Sequence, residues 1–179
     1  MLLSTLLLLS ILGEPSRTAA RTCPPELFRL GRSKNANVVV YEAGLSASGT
    51  LDPSAPVKAF WVLLAAKGER EELSFFEWRM AYGFDVRPSN PGPGFVLTFK
   101  AKEDRPVRIV LRDGCPVGIA TIGGRPGILK RIFIKADDKY LIPSVEHVEV
   151  FGSDLETGED LYERIAVSRP QAPQGELMP

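Results

Sequence analysis

The sequence predicts a mainly β protein: an antiparallel β-sandwich or barrel of about eight or nine strands with one short packed helix. Three observations carry this. Between Pro24 and Val167 the apolar residues fall in short runs broken by Gly, Pro, Asp and Asn, as strands joined by turns require. Several runs alternate apolar and polar residues at every second position, the period of a half-buried strand. A single segment follows the helical period instead.

The elements follow in chain order. Leu27–Arg32 and Asn37–Glu42 flank Ser33-Lys34-Asn35-Ala36, a loop of hairpin length. Val57–Leu64 is apolar except at Lys58, which predicts a strand buried on both faces. Ser74-Phe75-Phe76-Glu77 is a capping box, in which the Ser hydroxyl accepts from the N3 amide while the Glu reaches back. Phe75, Trp78 and Tyr82 then recur at helical spacing, and Gly83 can end the turn. A helix over Ser74–Tyr82, aromatic on one side, is expected to plug one end or face of the sheets.

Phe95, Leu97 and Phe99 alternate with Val96, Thr98 and Lys100. Val107–Arg112 alternates in the same way. Cys115–Ile122 and Gly127–Lys135 flank Gly123-Gly124-Arg125-Pro126, a second hairpin signal. Val145–Phe151 sets Val148 and Val150 against His147 and Glu149. Leu161–Val167 is the last strand.

The first residues, Met1-Leu-Leu-Ser-Thr-Leu-Leu-Leu-Leu-Ser-Ile-Leu12, are too short an apolar run to span a bilayer of about 30 Å. They fit the core of a secretory signal peptide over 1–20, with Thr18-Ala19-Ala20 as the cleavage region. No Lys or Arg precedes the run. A lipid anchor on Cys23 is the alternative, disfavoured by Arg21 and Thr22 before it. The expected organisation is a signal peptide at 1–20, one domain at 24–167, and a disordered tail at 168–179 with three prolines and no apolar period. The expected location is secreted or periplasmic, with no stable transmembrane segment after cleavage.

Composition narrows the function. The 179 residues hold 22 Lys+Arg and 22 Asp+Glu, a neutral balance that disfavours a nucleic-acid partner. Two Cys and one His are too few for a four-ligand Cys/His zinc site, and no cofactor is implied. In an oxidising compartment Cys23 and Cys115 are candidates for a disulfide, unpaired thiols being the alternative. Gly92-Pro93-Gly94 and Gly123-Gly124 form no phosphate loop. The acidic stretch Asp154–Asp160 fails the spacing of a calcium loop and reads as a solvated turn. His147, in a strand between Glu146 and Val148 and expected to face away from the valines, does not easily anchor a triad, so a solvent-facing or hydrogen-bonded structural role is expected.

The candidate binding residues are cationic, amide-bearing or aromatic: Arg32, Lys34, Asn35, Asn37 and Tyr41 on the first hairpin, Trp61 in the next strand, and Arg79 and Tyr82 on the helix. If hairpin and helix adjoin, Arg and Asn donors converge on an anion beside aromatic walls. Alternatively the Asn side chains satisfy turn backbone and Arg79 pairs with the neighbours of Glu77 or with Glu163.

Five segments occur together in order: Arg32-Ser-Lys-Asn-Ala-Asn-Val-Val-Val-Tyr41, Pro56–Trp61, Glu72–Ser74 leading to Ala81–Gly83, Leu129–Ile134, and Val148–Gly152 with Asp154, Thr157-Gly158 and Glu163-Arg164. This string resembles a bacterial family of exported proteins, domain-of-unknown-function family 4833, over about Leu27 to Ile165. The resemblance implies export and a mostly β domain, and it carries no established activity or catalytic residue. The chain departs from the family in its Pro/Gly-rich loop, Pro88–Gly94, and in its Pro-rich tail.

The reading that follows is an exported, non-catalytic β-domain that binds a small anionic ligand or an envelope protein. A carboxylate-dependent hydrolase of the cell envelope and an interaction protein using an edge strand are the alternatives. The hydrolase needs two carboxylates converging in a cleft. The sequence leaves catalysis and oligomeric state open.

Overall fold

The computed structural model describes residues 23–137 and 144–167. The expected signal peptide at 1–20 and tail at 168–179 lie outside the described residues. In chain order the elements are β1 (Glu26–Arg32), β2 (Asn35–Ala43), β3 (Val57–Leu63) and β4 (Glu69–Glu72). The helix α1 (Phe75–Glu77) continues directly as a π-helical turn, Trp78–Tyr82. Then come β5 (Phe84–Pro88), β6 (Phe95–Phe99), β7 (Lys102–Arg112), β8 (Cys115–Ile122), β9 (Arg125–Asp137), β10 (Ser144–Asp154) and β11 (Asp160–Ala166).

The eleven strands form one mixed sheet that curls into a half-barrel. Its fork is β9. One edge of β9 pairs with β10 from Gly127 to Asp137. The other edge pairs first with β8, at Arg125–Ile128, and then with β1, at Arg131–Ile134. One wing, β1-β2-β3-β4, therefore leaves from the second half of β9, and the other, β8-β7-β6-β5, from the first half.

The wings face each other across an aromatic core. Phe28 of β1 stacks on Tyr41 of β2 with ring centroids 4.6 Å apart, and Phe99 of β6 meets both edge-on at 5.9 and 5.6 Å. Such edge-to-face pairs add to the gain from area burial. Where the wings cross, Gly118 makes room for Phe28: a Cβ there would sit 3.4 Å from the Phe28 ring and 3.1 Å from Val107.

Each of the nine segments read as strands is one, but the sheet has two more. β4 is Glu69-Arg70-Glu71-Glu72, with every residue exposed. It carries no apolar period and is a strand only because it pairs with β3, where Arg70 bonds Glu42 and covers the Phe60 ring at 4.3 Å. β5 has two apolar residues before Pro88, too few to show alternation. The sheet is also not wholly antiparallel, since β1 runs parallel to β9. β3 is not buried on both faces: Val57 and Trp61 point inward while Lys58 is exposed.

The turns are tighter than the sequence suggested. Arg32 pairs with Asn35, so the first turn is Ser33-Lys34 alone. Ile122 pairs with Arg125 across Gly123-Gly124, whose φ angles of 58° and 80° suit a type I′ hairpin.

The capping box is present, with the Ser74 hydroxyl accepting from the Glu77 amide and the Glu77 carboxylate accepting from the Ser74 amide. The aromatic stripe begins one turn later than expected. Phe75 is 79% exposed, because the wider π turn after Glu77 breaks the 3.6-residue period. It leaves Trp78 against Phe84, at 4.7 Å, and Tyr82 in the core.

Cys23 and Cys115 form a disulfide that ties the start of the described chain to β8, across 92 positions of sequence. No described helix is long and apolar enough to cross a membrane.

Candidate functional site

The first hairpin and the helix do adjoin. Tyr41 is fully buried, and its hydroxyl donates to the Tyr82 carbonyl at 2.8 Å. Burial pushes that phenol far above its ordinary pKa. Trp61 donates from Nε1 to Glu77 at 3.1 Å and meets the Tyr82 ring edge-on at 5.1 Å. Burial raises the Tyr82 phenol too, opposed by the Arg32 guanidinium, which hydrogen-bonds it. At Glu77 burial favours protonation, but the Ser74 hydroxyl and amide and the Trp61 N–H outweigh it and hold the carboxyl below its usual range. Arg32, Tyr41, Trp61 and Tyr82 thus form one linked cluster that fixes the helix to the sheet.

The other candidates stand apart from that cluster. Lys34 is exposed in the turn with φ 61°. The Asn35 side chain accepts from the Asn37 amide, and the Asn37 side chain accepts from the Leu64 amide, both turn and strand-end roles for an Asn oxygen. Arg79 is exposed on the helix.

The open space lies on the other side of the same helix. A cavity of about 250 Å³ sits in the trough of the half-barrel. Its floor is made by the buried side chains of Leu30, Val107, Leu129 and Val150. Its walls are Ile132 and Ile134 of β9, Val148 of β10, Ile165 of β11, Ala120 of β8 and Ala81 of the helix. Strand register explains this lining. Leu30, Ile132 and Val150 are cross-strand neighbours in one row, and Ile134, Val148 and Ile165 in the next. Alternate positions on adjacent strands share a face, so the two rows form one apolar surface.

The exposed lining residues Ala101, Lys102, Thr121 and Val167 mark the mouth. The charged members of the lining are two cations, Lys102 and Arg105. Arg105 donates from both terminal nitrogens to Glu163 of β11, at 2.9 and 2.8 Å. Lys102 is bonded to Asp104 on its own strand, with both side chains more than half exposed. A second depression, beside the disulfide, spans about 410 Å³ between Pro24, Glu26, Pro116 and Lys130. It is shallower and mixes charged with apolar walls.

The remaining candidates have structural roles. His147 is buried on the opposite face of β10 and bonds Arg164 at 3.1 Å. Asp154 accepts from the Glu156 and Thr157 amides, which hold its carboxyl below the usual range, and so shapes the β10–β11 turn. Among the described residues, no three of His, Cys, Asp and Glu gather into a metal-holding group.

The family model described as a domain of unknown function, DUF4833, matches residues 28–164. The chain belongs to that family. No curated protein and no solved structure matches it. The DUF4833 span holds the whole Arg32–Trp61–Tyr82 cluster and every residue of the cavity except Ile165 and Val167.

Most cavity residues of this DUF4833 domain fall in segments that the sequence predicts only as strands. Alternation at Ile132/Ile134 and Val148/Val150 reports an apolar face, and it cannot tell a face packed by other side chains from one left open. The one local signal was the pair of cations at Lys102 and Arg105, ahead of an alternating strand.

Proposed function

We propose that this domain is a non-catalytic binding module that takes an apolar small molecule into the trough of its half-barrel. The observation that carries the reading is the apolar cavity of about 250 Å³, open at its mouth and lined from seven strands and the helix. Closed apolar cavities are small in well-packed cores, whereas ligand sites are concave, mostly apolar and preformed. The hairpin–helix cluster acts as the buttress that holds Ala81 against the cavity, rather than as the ligand surface itself.

Among the described residues the lining contains no carboxylate, so these residues do not supply the paired acid and base that the hydrolase alternative needs. The edge-strand alternative has less support. The free edges β4, β5 and β11 carry Glu69–Glu72, Asp85 with Arg87 and Pro88, and Glu163 with Arg164, which are devices that oppose strand addition. Export is part of the proposal. The apolar leader at 1–20 supports it, as does the Cys23–Cys115 bond, since such bonds persist in oxidising compartments.

The test is a fluorescence titration of the full chain with N-phenyl-1-naphthylamine, which brightens in apolar surroundings. A saturable one-site rise is expected. Val148→Phe and Ala120→Leu, which fill the cavity from two strands, should each weaken it about tenfold or more, an effect of roughly 1.4 kcal/mol. Undiminished binding in both variants, with the near-UV circular dichroism of the parent, overturns the proposal.

A further inference from the structure

Resting on that reading, we infer that the cavity takes a single aliphatic chain ending in an anionic group, with Lys102 as the contact for the head. Among the described residues the floor and walls supply no hydrogen-bonding side chain; Thr121 offers a hydroxyl at the mouth. A polar group carried to the floor would lose its water without replacement, which is costly. The ligand therefore enters tail first, against Leu129 and Val107, and leaves its polar end at the mouth.

The charge at the mouth selects the sign of that end. Among the described residues both charged members of the lining are cations. Arg105 is committed: its guanidinium spans the gap to Glu163 with two bonds, and in doing so it is neutralised by that carboxylate. Lys102 is exchangeable. Its partner Asp104 is two residues along the same strand, and the side chains are 54% and 65% exposed, a setting in which an ion pair contributes little. An incoming carboxylate can take the ammonium at small cost.

Volume sets the length. A space of about 250 Å³ holds roughly eight groups of the size of a water molecule. A chain of about that many carbons fills it, which points to a medium-chain monocarboxylate rather than a two-chain lipid.

The test displaces bound N-phenyl-1-naphthylamine from the full chain with octanoate, octyl phosphate, 1-octanol and octylammonium. Octanoate should bind more tightly than 1-octanol by up to about fivefold, the upper end of what one exposed charge pair contributes. Octylammonium should bind more weakly than either. The octanoate preference should shrink as sodium chloride is raised to 1 M. Lys102→Gln should erase the difference between octanoate and 1-octanol, and Lys102→Arg should retain it. Octyl phosphate bound much more tightly than octanoate would assign the head to a phosphate and overturn the carboxylate. Octanol binding as well as octanoate, or a preference that survives Lys102→Gln, overturns the role of Lys102 and leaves the apolar site standing. If the naphthylamine itself does not bind, the site falls and this inference with it.

Discussion

Arg105 of β7 and Glu163 of β11 meet through two hydrogen bonds, 2.9 and 2.8 Å long, across the open side of the half-barrel. Among the described residues the sheet does not pair these two strands with each other: β11 bonds to β10, and β7 to β6 and β8. Their contact is made by side chains where a closed barrel would use backbone. Glu163 also accepts from the Gly123 amide at 3.0 Å, so one carboxylate ties the β8–β9 turn, β7 and β11 together.

That tie has a pH signature. The Arg105 hydrogen bonds hold the Glu163 carboxyl below its ordinary range, against the opposing effect of burial and with help from the Gly123 amide. A carboxylate depressed in the folded state contributes stability that is complete above its unfolded pKa of about 4.3 and is lost as pH falls through the folded value. Glu163→Gln should therefore cost about 1–2 kcal/mol at pH 7, toward the low end for charged hydrogen bonds because Arg105 is partly exposed. The gap between parent and variant should begin to narrow as pH falls below about 4.3 and continue to narrow toward more acid pH. Urea midpoints measured from pH 7 to pH 3 check this, and a gap independent of pH would assign the loss to shape rather than charge.

Trp61 buttresses the helix that forms one wall of the cavity. Trp61→Ala should cost about 3–5 kcal/mol, as for a buried aromatic residue. Trp61→Phe should cost less, losing chiefly the bond to Glu77, about 1 kcal/mol. The alanine variant should also bind N-phenyl-1-naphthylamine less tightly at temperatures where it remains folded, because Ala81 is no longer held in place. Thermal unfolding followed by circular dichroism decides the first point. A loss below about 1 kcal/mol would mean that the indole is not part of the core.

The fold was legible wherever a strand has one wet face. Val107, Ile109 and Leu97 alternate with charged or partly exposed neighbours, and each is buried as its position requires. It was illegible where pairing rather than burial makes the strand. Glu69–Glu72 shows no apolar side because both its faces are exposed, and its order comes from β3 and from Arg70 on Glu42. The aromatic stripe misplaced at Phe75 has the opposite cause: its spacing is helical, but the chain switches to a π turn at Trp78. The juxtaposition of Arg32, Trp61 and Tyr82 could be posed from the sequence only as a condition, that hairpin and helix adjoin, because the contact joins segments distant in the chain. The cavity could not, because an empty trough and a filled core use the same residues in the same alternation. Only the register Leu30–Ile132–Val150, a contact among three strands distant in sequence, distinguishes them.

The Cys23–Cys115 bond joins the chain just before β1 to the first residue of β8, with Cα atoms 5.4 Å apart. β1 and β8 border the same edge of β9 and share no ladder, so the bond fastens the two wings at the base of the fork. Closing a loop of 92 positions removes entropy from the unfolded chain worth about 4–5 kcal/mol in the chain-entropy model, less whatever strain the folded state bears. The paired substitution Cys23→Ser with Cys115→Ser should therefore lower stability by about 2–5 kcal/mol. It should also raise the dependence of unfolding free energy on urea, because an uncrosslinked chain exposes more surface when it unfolds. Urea unfolding of the parent with and without reductant, beside the double variant, measures both quantities. Reduced parent and double variant should coincide. If instead the oxidised parent matches the double variant in both midpoint and slope, the two sulfurs are not bonded in solution and the wings are held by the Phe28–Tyr41–Phe99 packing alone.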